Sequence, residues 1–470
     1  MNPAGAFDFI ILGSGPAGQK AAIQAAKAGR KVAIVERERN VGGACVYTGT
    51  IPSKTLREAA LTLLTVKRNA QFLEFRFREN AEIATLMTRL DAVLAAHAQF
   101  LGAALAANGI VTLPGRAQLV DDHTVEVESV RGERSRWRAE FIILATGSRP
   151  RNPPEVPVDH ESILDSDSIL SMLYLPRSLT VLGGGVIATE YASIFSLLGV
   201  QVTMIDRGPR PLGFLDPELV DGFLEHFTRH GGRWIGGRQT SRVELGRLGE
   251  VTTTLDDGER IVSDKLLCAL GRAANVETLG LTEAGIKQGK YGVVAVDAAY
   301  RTSVPHIYAI GDVIGPPALG STSMEQGRRA VCHALGLPPG SPFELVPIGI
   351  YAVPELASVG LTEAQVRERH GGALVGRADF REVARAHIAG HQSGMLKLVT
   401  GPDGGKLLGV HIVGEGATDL IHVGEMALLN GNDVSIFHEN ILNFPTLGEA
   451  YRIAALNLRN QVHGTPRPPA

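Results

Sequence analysis

Residues 7–36 read FDFIILGSGPAGQKAAIQAAKAGRKVAIVE, and the order of residue types in this stretch decides the fold around it. FDFIIL is an apolar run of strand length, QKAAIQAAKAG a run of small helix formers, and KVAIVE a second short apolar run. Glycine punctuates the first junction: Gly13, Gly15 and Gly18 form G-x-G-x-x-G between strand and helix. Glycines placed so let the chain turn tightly, bring backbone against a pyrophosphate and pack the helix closely on the strand. The helix N-terminus then offers unpaired N–H groups and the positive end of its dipole to phosphate oxygens. Glu36 closes the second strand eighteen residues after Gly18, near the spacing of about 20 expected of an acid that accepts from a ribose hydroxyl. The stretch predicts a βαβ unit that holds a dinucleotide.

The same device occurs a second time. Residues 178–206, SLTVLGGGVIATEYASIFSLLGVQVTMID, put Gly183, Gly185 and Ala188 between strand and helix, with Asp206 again eighteen residues after the third small residue. Alanine is permitted at that third position, so one chain is expected to bind two dinucleotides. The 470 residues, 44% hydrophobic and 20% charged, suit roughly three domains. A net charge of −3 supplies no basic field for nucleic acid or an anionic bilayer, and neither is expected as a partner. Residues 1–5 lack the basic start of a signal peptide and the early apolar run is too short to span a bilayer, which points to the cytoplasm. Cys45, Cys268 and Cys332 are too few and too odd a set for a disulfide framework. His411 and His422 stand eleven apart with no partner at ligand spacing, so no metal is expected.

Further segments carry a resemblance to a known family. They are GGACVYTGTIPSK (42–54), FIILATGSRP (141–150), LLCALGRAANV (266–276), VPHIYAIGDVIG (304–315), IGIYAVPELASVGLTE (348–363) and PDGGKLLGVHIVGEGATDLIHVGEMALL (402–429). Over roughly residues 6–460 the chain resembles the pyridine nucleotide-disulfide oxidoreductases. The resemblance implies an α/β fold with two Rossmann-like domains, for FAD and NAD(P), and an α+β C-terminal dimerisation domain. The divisions it suggests are 1–149 and 272–345 for the FAD and central domain, 150–271 for the NAD(P) domain, and 346–470 for a domain that makes a homodimer or larger homo-oligomer. The proline-rich 463–470 is expected to be a loose tail. Carried over position by position, the cofactor-binding set is Gly13, Gly15, Gly18, Glu36, Gly43, Cys45, Thr50, Lys54, Gly115, Ala117, Thr146, Gly147, Gly183, Gly185, Ile187, Glu190, Asp206, Arg207, Gly271, Arg272, Gly311, Asp312 and Leu319. Within it Lys54 corresponds to the family lysine placed against the flavin N5, and Glu190 to the glutamate that pairs with it. These two are the expected catalytic residues, because a cation there stabilises negative charge as hydride arrives.

Two departures define the expected chemistry. The family's redox-active segment carries a second cysteine five residues after the first, and here that position is Thr50. A disulfide needs two sulfurs, so this route cannot relay electrons to a disulfide substrate. The run NFPTLGEAYRIAALN (443–457) resembles the family's C-terminal motif but puts Phe444 where the acid-base histidine belongs, and a phenyl ring transfers no proton. Glu449, the histidine's usual partner, instead follows Thr446 at the spacing of a helix capping box. This combination is similar to the soluble, Si-specific NAD(P)+ transhydrogenases. They pass hydride from NADPH through FAD to NAD+ by a ping-pong scheme. Asp206 suits a free ribose 2′-hydroxyl, while Arg207 and Arg210 just after it could pair with a 2′-phosphate. Two other functions stay open at this point: an NAD(P)H dehydrogenase reducing a quinone or other small acceptor, and a non-enzymatic flavin-bound redox sensor or scaffold with Cys45 as its switch.

Overall fold

The computed structural model describes residues 5–69, 83–341 and 345–462; the tail expected at 463–470 lies outside them. The chain opens with β1 (Gly5–Leu12), α1 (Pro16–Lys27) and β2 (Val32–Glu36), and β1 pairs with β2 in parallel, Ile11 beside Ile34. Alternate side chains of β1 enter two different cores, Ile10 and Leu12 on one face and Phe9 and Ile11 on the other. That is why residues 9–12 of the strand are apolar without a break instead of alternating. Helix α1 buries Ala17, Ala21, Ala22 and Ala25, small enough for another helix to approach its backbone.

The first sheet grows after α2 (Gly43–Tyr47), α3 (Thr50–Asn69) and α4 (Ile83–Ala107) through β3 (Val111–Pro114), β4 (Arg116–Leu119), β5 (Thr124–Glu128) and β6 (Arg134–Leu144). Its order is β3-β2-β1-β6-β5-β4, parallel as far as β6 and antiparallel beyond. By length and composition alone, Leu90–Ala107 in α4 is the one stretch among the described residues apolar enough to cross a membrane; it packs along α3.

A short β7 (Ser148–Pro150) leads into a second unit. This holds β8 (Ile163–Asp165), β9 (Ser178–Leu182), α5 (Val186–Leu197), β10 (Gln201–Asp206), α6 (Pro217–Arg229) and β11 (Arg233–Gly236). A meander of β12 (Thr240–Leu245), β13 (Val251–Leu255) and β14 (Arg260–Ser263) precedes β15 (Lys265–Cys268), and the parallel sheet runs β11-β10-β9-β15-β8. The chain returns through β16 (Arg272–Ala274), which lies antiparallel to β7, so the outgoing and incoming segments cross side by side. Next, β17 (Ile307–Ala309) rejoins the first sheet against Ile142–Leu144, and α7 (Gly320–Ala334) packs on α1. A Cβ on Gly327 would lie 2.4 Å from the Ala17 carbonyl oxygen, so that crossing requires glycine. The first unit is therefore built from two separate stretches of chain.

The remaining elements are β18 (Ile348–Ile350), β19 (Leu356–Gly360), α8 (Glu363–His370), β20 (Leu374–Asp379), α9 (Ala384–Ala389), β21 (Met395–Thr400) and β22 (Leu407–Val413). They are followed by α10 (Ala417–Leu429), α11 (Ile436–Glu439) and α12 (Glu449–Val462). The strands form an antiparallel sheet, β18-β19-β22-β21-β20, and Tyr451, Ala454 and Leu458 of α12 are buried in one core with Leu396, Leu398 and Val410. The capping box expected from Thr446 and Glu449 does not form. The Thr446 hydroxyl donates to the Asn443 carbonyl at 2.9 Å, and the Glu449 carboxylate accepts from the Ala384 N–H at 3.4 Å, a partner remote in sequence. The box occurs instead at Thr362 and Gln365, at the start of α8.

One buried ion cluster locks the second unit to the C-terminal domain. Lys397 of β21, 1% exposed, donates to Asp216 at 3.0 Å and to Glu218 at 2.7 Å, and lies 2.7 Å from Glu363. Asp216 is itself the N-cap of α6.

Candidate active site

The two glycine loops divide their work in the same way. A Cβ on Gly13, whose φ is +106°, would meet the Ala145 carbonyl oxygen at 2.4 Å, and one on Gly18 would meet the Gly13 oxygen at 2.0 Å. Both glycines are imposed by packing. A Cβ on Gly15 would meet nothing within 4 Å, so the space beside that backbone is open at the N-terminus of α1. In the second loop Gly183, with φ +118°, faces the Ala269 oxygen at 2.5 Å, while Gly185 is open. An open backbone face at a helix N-terminus is what a pyrophosphate requires, and both loops fit a dinucleotide. The strand-end acids also match each other. Glu36 accepts from the Ser14 N–H at 3.0 Å and Asp206 from the Gly184 N–H at 2.9 Å, each binding the middle residue of its own loop. The acids thus hold the loops in shape.

The cysteine segment lies directly over the first loop: Gly42 N–H donates to Ser14 Oγ at 3.0 Å, and a Cβ on Gly43 would lie 2.9 Å from Gly15 Cα. From the other side come Thr146 and Gly147, following Ala145, with Thr146 hydrogen-bonded to Asn275 through its hydroxyl at 2.8 Å. Gly311 packs against Ala17, and Asp312 accepts from Ser148 Oγ at 2.7 Å. Arg272 donates to the same Ser148 oxygen at 2.7 Å, and Gly271 precedes it beside Arg151. Gly115 donates its N–H to the Glu36 carbonyl at 2.8 Å. Its φ of +148° and a Cβ position 2.5 Å from the Glu128 oxygen show that the β3–β4 turn also demands it. Ala117 sits in β4 opposite Val127, Leu319 precedes α7 as its N-cap, and Ile187 is half-buried in the first turn of α5.

Lys54 and Glu190 meet. Lys54 lies in α3, one turn after Thr50, and Glu190 in α5, one turn beyond the second loop; their Nζ and Oε2 are 2.6 Å apart. Glu190 is buried, and its other oxygen accepts from the Tyr351 N–H at 2.9 Å. The pair joins the first unit to the second, and Tyr351 ties both to the C-terminal domain.

Residues 7–331 match the family described as pyridine nucleotide-disulphide oxidoreductase, and residues 346–455 match its dimerisation domain. The chain belongs to the pyridine nucleotide-disulphide oxidoreductase family. Among its relatives are the soluble pyridine nucleotide transhydrogenase of Mycobacterium tuberculosis, 42% identical over 458 residues (97% of this chain, 98% of that one), and that of Serratia proteamaculans, 38% identical over 460 residues (97% and 98%). Its fold is similar to the crystal structure of LpdA from Mycobacterium tuberculosis, with a TM-score of 0.88 at 29% identity over 96% of this chain and 99% of that one. It is also similar to the HOCl-induced flavoprotein disulfide reductase RclA of Escherichia coli, with a TM-score of 0.86 at 25% identity over 96% and 99%.

For a pyridine nucleotide-disulphide oxidoreductase, the surroundings of Cys45 are unusual. The Thr50 side chain lies beside its sulfur, and all three cysteines are free. Cys268 is buried in β15, and Cys332 in α7 accepts from Arg328 at 3.6 Å. Burial pushes the Cys45 thiol up, against the opposing pull of Thr50 and Lys54. A protonated thiol is a poor nucleophile and electron donor. Phe444, in the histidine's place, is 67% exposed.

At the second nucleotide position, Arg207 and Arg210 behave differently. Arg210 is paired with Asp221 of α6 at 2.8 Å and is not available beside Asp206 in the way its sequence position suggests. No carboxylate of the described residues pairs with Arg207, which is exposed and within electrostatic range of the Tyr291 phenol. The Tyr291 ring carries Arg151 at 5.0 Å and Lys290 at 4.9 Å, completing a basic surface that loop residues far apart in sequence assemble. Sequence patterns also gave no signal for Arg57, buried one turn after Lys54 and 2.9 Å from Glu355. Only the rarity of a fully buried arginine could have marked it, and burial is not written in the sequence.

His411 and His422 are satisfied by the fold, His411 between Ser358 Oγ and the Leu361 carbonyl and His422 against Glu425. Among the described residues, Asp122, His123 and His306 bring possible ligand atoms within 4.8 Å of one another. The two imidazoles are stacked 3.8 Å apart and 2° from parallel, so one ion could not lie in both ring planes as they stand.

Proposed function

We propose that the chain is an FAD-dependent soluble pyridine nucleotide transhydrogenase that moves hydride between NADPH and NAD+ without a redox-active disulfide. The observation that carries this is the pairing of an intact Lys54–Glu190 contact with a Cys45 that meets a threonine hydroxyl where a second sulfur would stand. When bound, the flavin supplies a two-electron store: NADPH loses hydride to become NADP+, and NAD+ takes it up to become NADH. The protein's own part is placement. The open faces at Gly15 and Gly185 receive the two pyrophosphates, and Glu190 holds the Lys54 ammonium where negative charge develops. With no pair of sulfurs to accept electrons, hydride leaves through the pocket by which it entered, which makes the exchange ping-pong.

One pocket must then accept both nucleotides. Asp206 accepts from Gly184 N–H through one oxygen and from Gly208 N–H at 2.7 Å through the other. Its charge is spread over two backbone donors, which softens its repulsion of a 2′-phosphate, and Arg207 next to it supplies the compensating cation. Arg207→Ala should weaken NADP(H) by about 1 to 3 kcal/mol, the scale of a charge-assisted contact, and leave NAD(H) nearly unchanged. Arg210→Ala should do less, because Asp221 already engages that side chain. Kd values for both nucleotides measure the difference, and equal losses for the two would exclude a phosphate contact.

We read the assembly as a homodimer in which Val423, Met426, Leu429, Ile441 and Phe444 are covered. These apolar residues are exposed on the single chain, at the family's dimerisation domain. The relatives are named as soluble enzymes, and we take this one to be soluble too. The test is turnover with NADPH and a spectroscopically distinct NAD+ analogue. NADPH oxidation should depend on the analogue. Oxidation that needs a quinone instead would make the chain an NAD(P)H dehydrogenase, and no turnover with flavin bound would make it a sensor or scaffold.

A further inference from the structure

The Lys54–Glu190 pair has a third member that neither the motifs nor the relatives' names assign. Lys54 Nζ lies 4.8 Å from the centroid of the Tyr351 ring, over its face, while the Tyr351 backbone N–H donates to Glu190 Oε1 at 2.9 Å. The ammonium's remaining contact is a long one, 3.4 Å to Ser53 Oγ. Carboxylate and ring therefore bracket a cation at the end of four rotatable bonds, in a site where Lys54 is only a quarter exposed.

Tyr351 is itself held in place. Arg57 Nε donates to the Ala352 carbonyl at 3.2 Å, and Val353 N–H donates to Ser193 Oγ at 3.0 Å. Glu355 pairs with Arg57 and accepts from the Thr418 N–H and hydroxyl at 3.0 and 2.7 Å. Residues 351–355 thus form a strap from the C-terminal domain fastened to α3 at Arg57 and to α5 at Glu190 and Ser193. The side chain of Tyr351 touches this fastening only through its hydroxyl, toward Thr418, so phenylalanine removes that link and keeps both the ring and the backbone contact to Glu190.

We propose that Tyr351 is a positioning residue for Lys54, its ring face fixing the direction in which the ammonium points. The inference rests on Lys54 acting toward the flavin. An ammonium over an aromatic face is attracted by the ring quadrupole, more strongly where water is partly excluded, and it loses the alternative rotamers it would otherwise populate.

The experiment compares the full-length, FAD-loaded parent with Tyr351→Leu, Tyr351→Phe and Lys54→Met. Flavin content, midpoint potential and stopped-flow reduction by NADPH are recorded for each. Tyr351→Leu should slow reduction about tenfold, within the range of a partly desolvated cation–π contact, with the KM for NADPH within about twofold of the parent. It should also weaken the preference for reduced flavin about tenfold, a shift of about 30 mV for a two-electron couple. Tyr351→Phe, which keeps the ring, should recover most of both losses. If Tyr351→Leu fails to hold FAD, Tyr351→Met fills the same space without a π face and answers the same question. A ring-less variant with the parent's potential and rate, beside a Lys54→Met that loses both, would overturn the role of Tyr351 alone. A Lys54→Met that behaves like the parent would instead overturn the reading on which it rests.

Discussion

Replacing Lys54 with methionine is expected to slow reduction of the bound flavin by NADPH about a hundredfold or more, the cost of deleting one preorganised charge at a reacting centre. Affinity for NADPH should change by less than about threefold, because the interaction lost is made as charge develops and not on binding. Lys54 is held 2.6 Å from a buried carboxylate and over an aromatic ring, so its charge is fixed before the reaction begins. Methionine keeps the length and apolar stem but removes the ammonium. Arginine is not a neutral control, since its planar fork cannot reproduce a point charge in that bracket. Stopped-flow reduction of the purified variant, with FAD content measured in parallel, reads the effect. A rate within tenfold of the parent would remove Lys54 from the catalytic step.

The largest effect on stability should come from Lys397→Met. Three carboxylates, on Asp216, Glu218 and Glu363, converge on this one buried ammonium. Deleting one partner of a buried ion cluster typically costs about 3 to 5 kcal/mol, because the remaining charges are left without compensation. Arg377, 2.6 Å from Glu218, keeps that carboxylate paired when Lys397 is lost, so Asp216, fully buried, should bear most of the loss. The cluster also gives a signed pH dependence. The hydrogen bond from Arg377 is the main cause that brings the Glu218 carboxyl down to about 2, from an ordinary value of 4.5. Glu363 is lowered too, Lys397 and Arg367 prevailing over the opposing effect of burial. A depressed carboxyl pKa contributes stability above its unfolded value that is lost as pH falls toward the folded value. The parent's unfolding midpoint should therefore fall between about pH 4.5 and 2. The gap between parent and Lys397→Met should narrow over the same range. A gap that stays constant with pH would show that the loss comes from packing and not from charge.

What could be read in the sequence, and what could not, follows from the range of each interaction. The two dinucleotide loops were legible because their glycines answer local demands: Gly13 and Gly183 sit at positive φ, and Gly18 touches the backbone five residues before it. The acids Glu36 and Asp206 were legible from spacing, although spacing alone did not show that each also fastens its own loop. The Lys54–Glu190 contact spans 136 residues and was reached only through its motif context. Tyr351 and Arg57 act across 161 and 295 residues, where no periodicity carries information. The Thr446–Glu449 capping box failed for the same reason, since a distant backbone N–H competed for the carboxylate and won. Arg210 likewise answers to Asp221 on the following helix and not to its neighbour Asp206.

The central claim is that this site has one redox centre. A flavin with a partner dithiol takes up about four electrons, two on each, whereas here Thr50 stands in place of one sulfur and Cys45, Cys268 and Cys332 are separate thiols. Anaerobic titration of the FAD-loaded enzyme with dithionite measures this directly. Bleaching should be complete at about two electrons per FAD, the capacity of the flavin alone, and no long-wavelength band from a thiolate beside oxidised flavin should appear. Uptake of about four electrons per FAD, the signature of a second two-electron couple, would contradict the single-centre account and the transhydrogenase reading built on it.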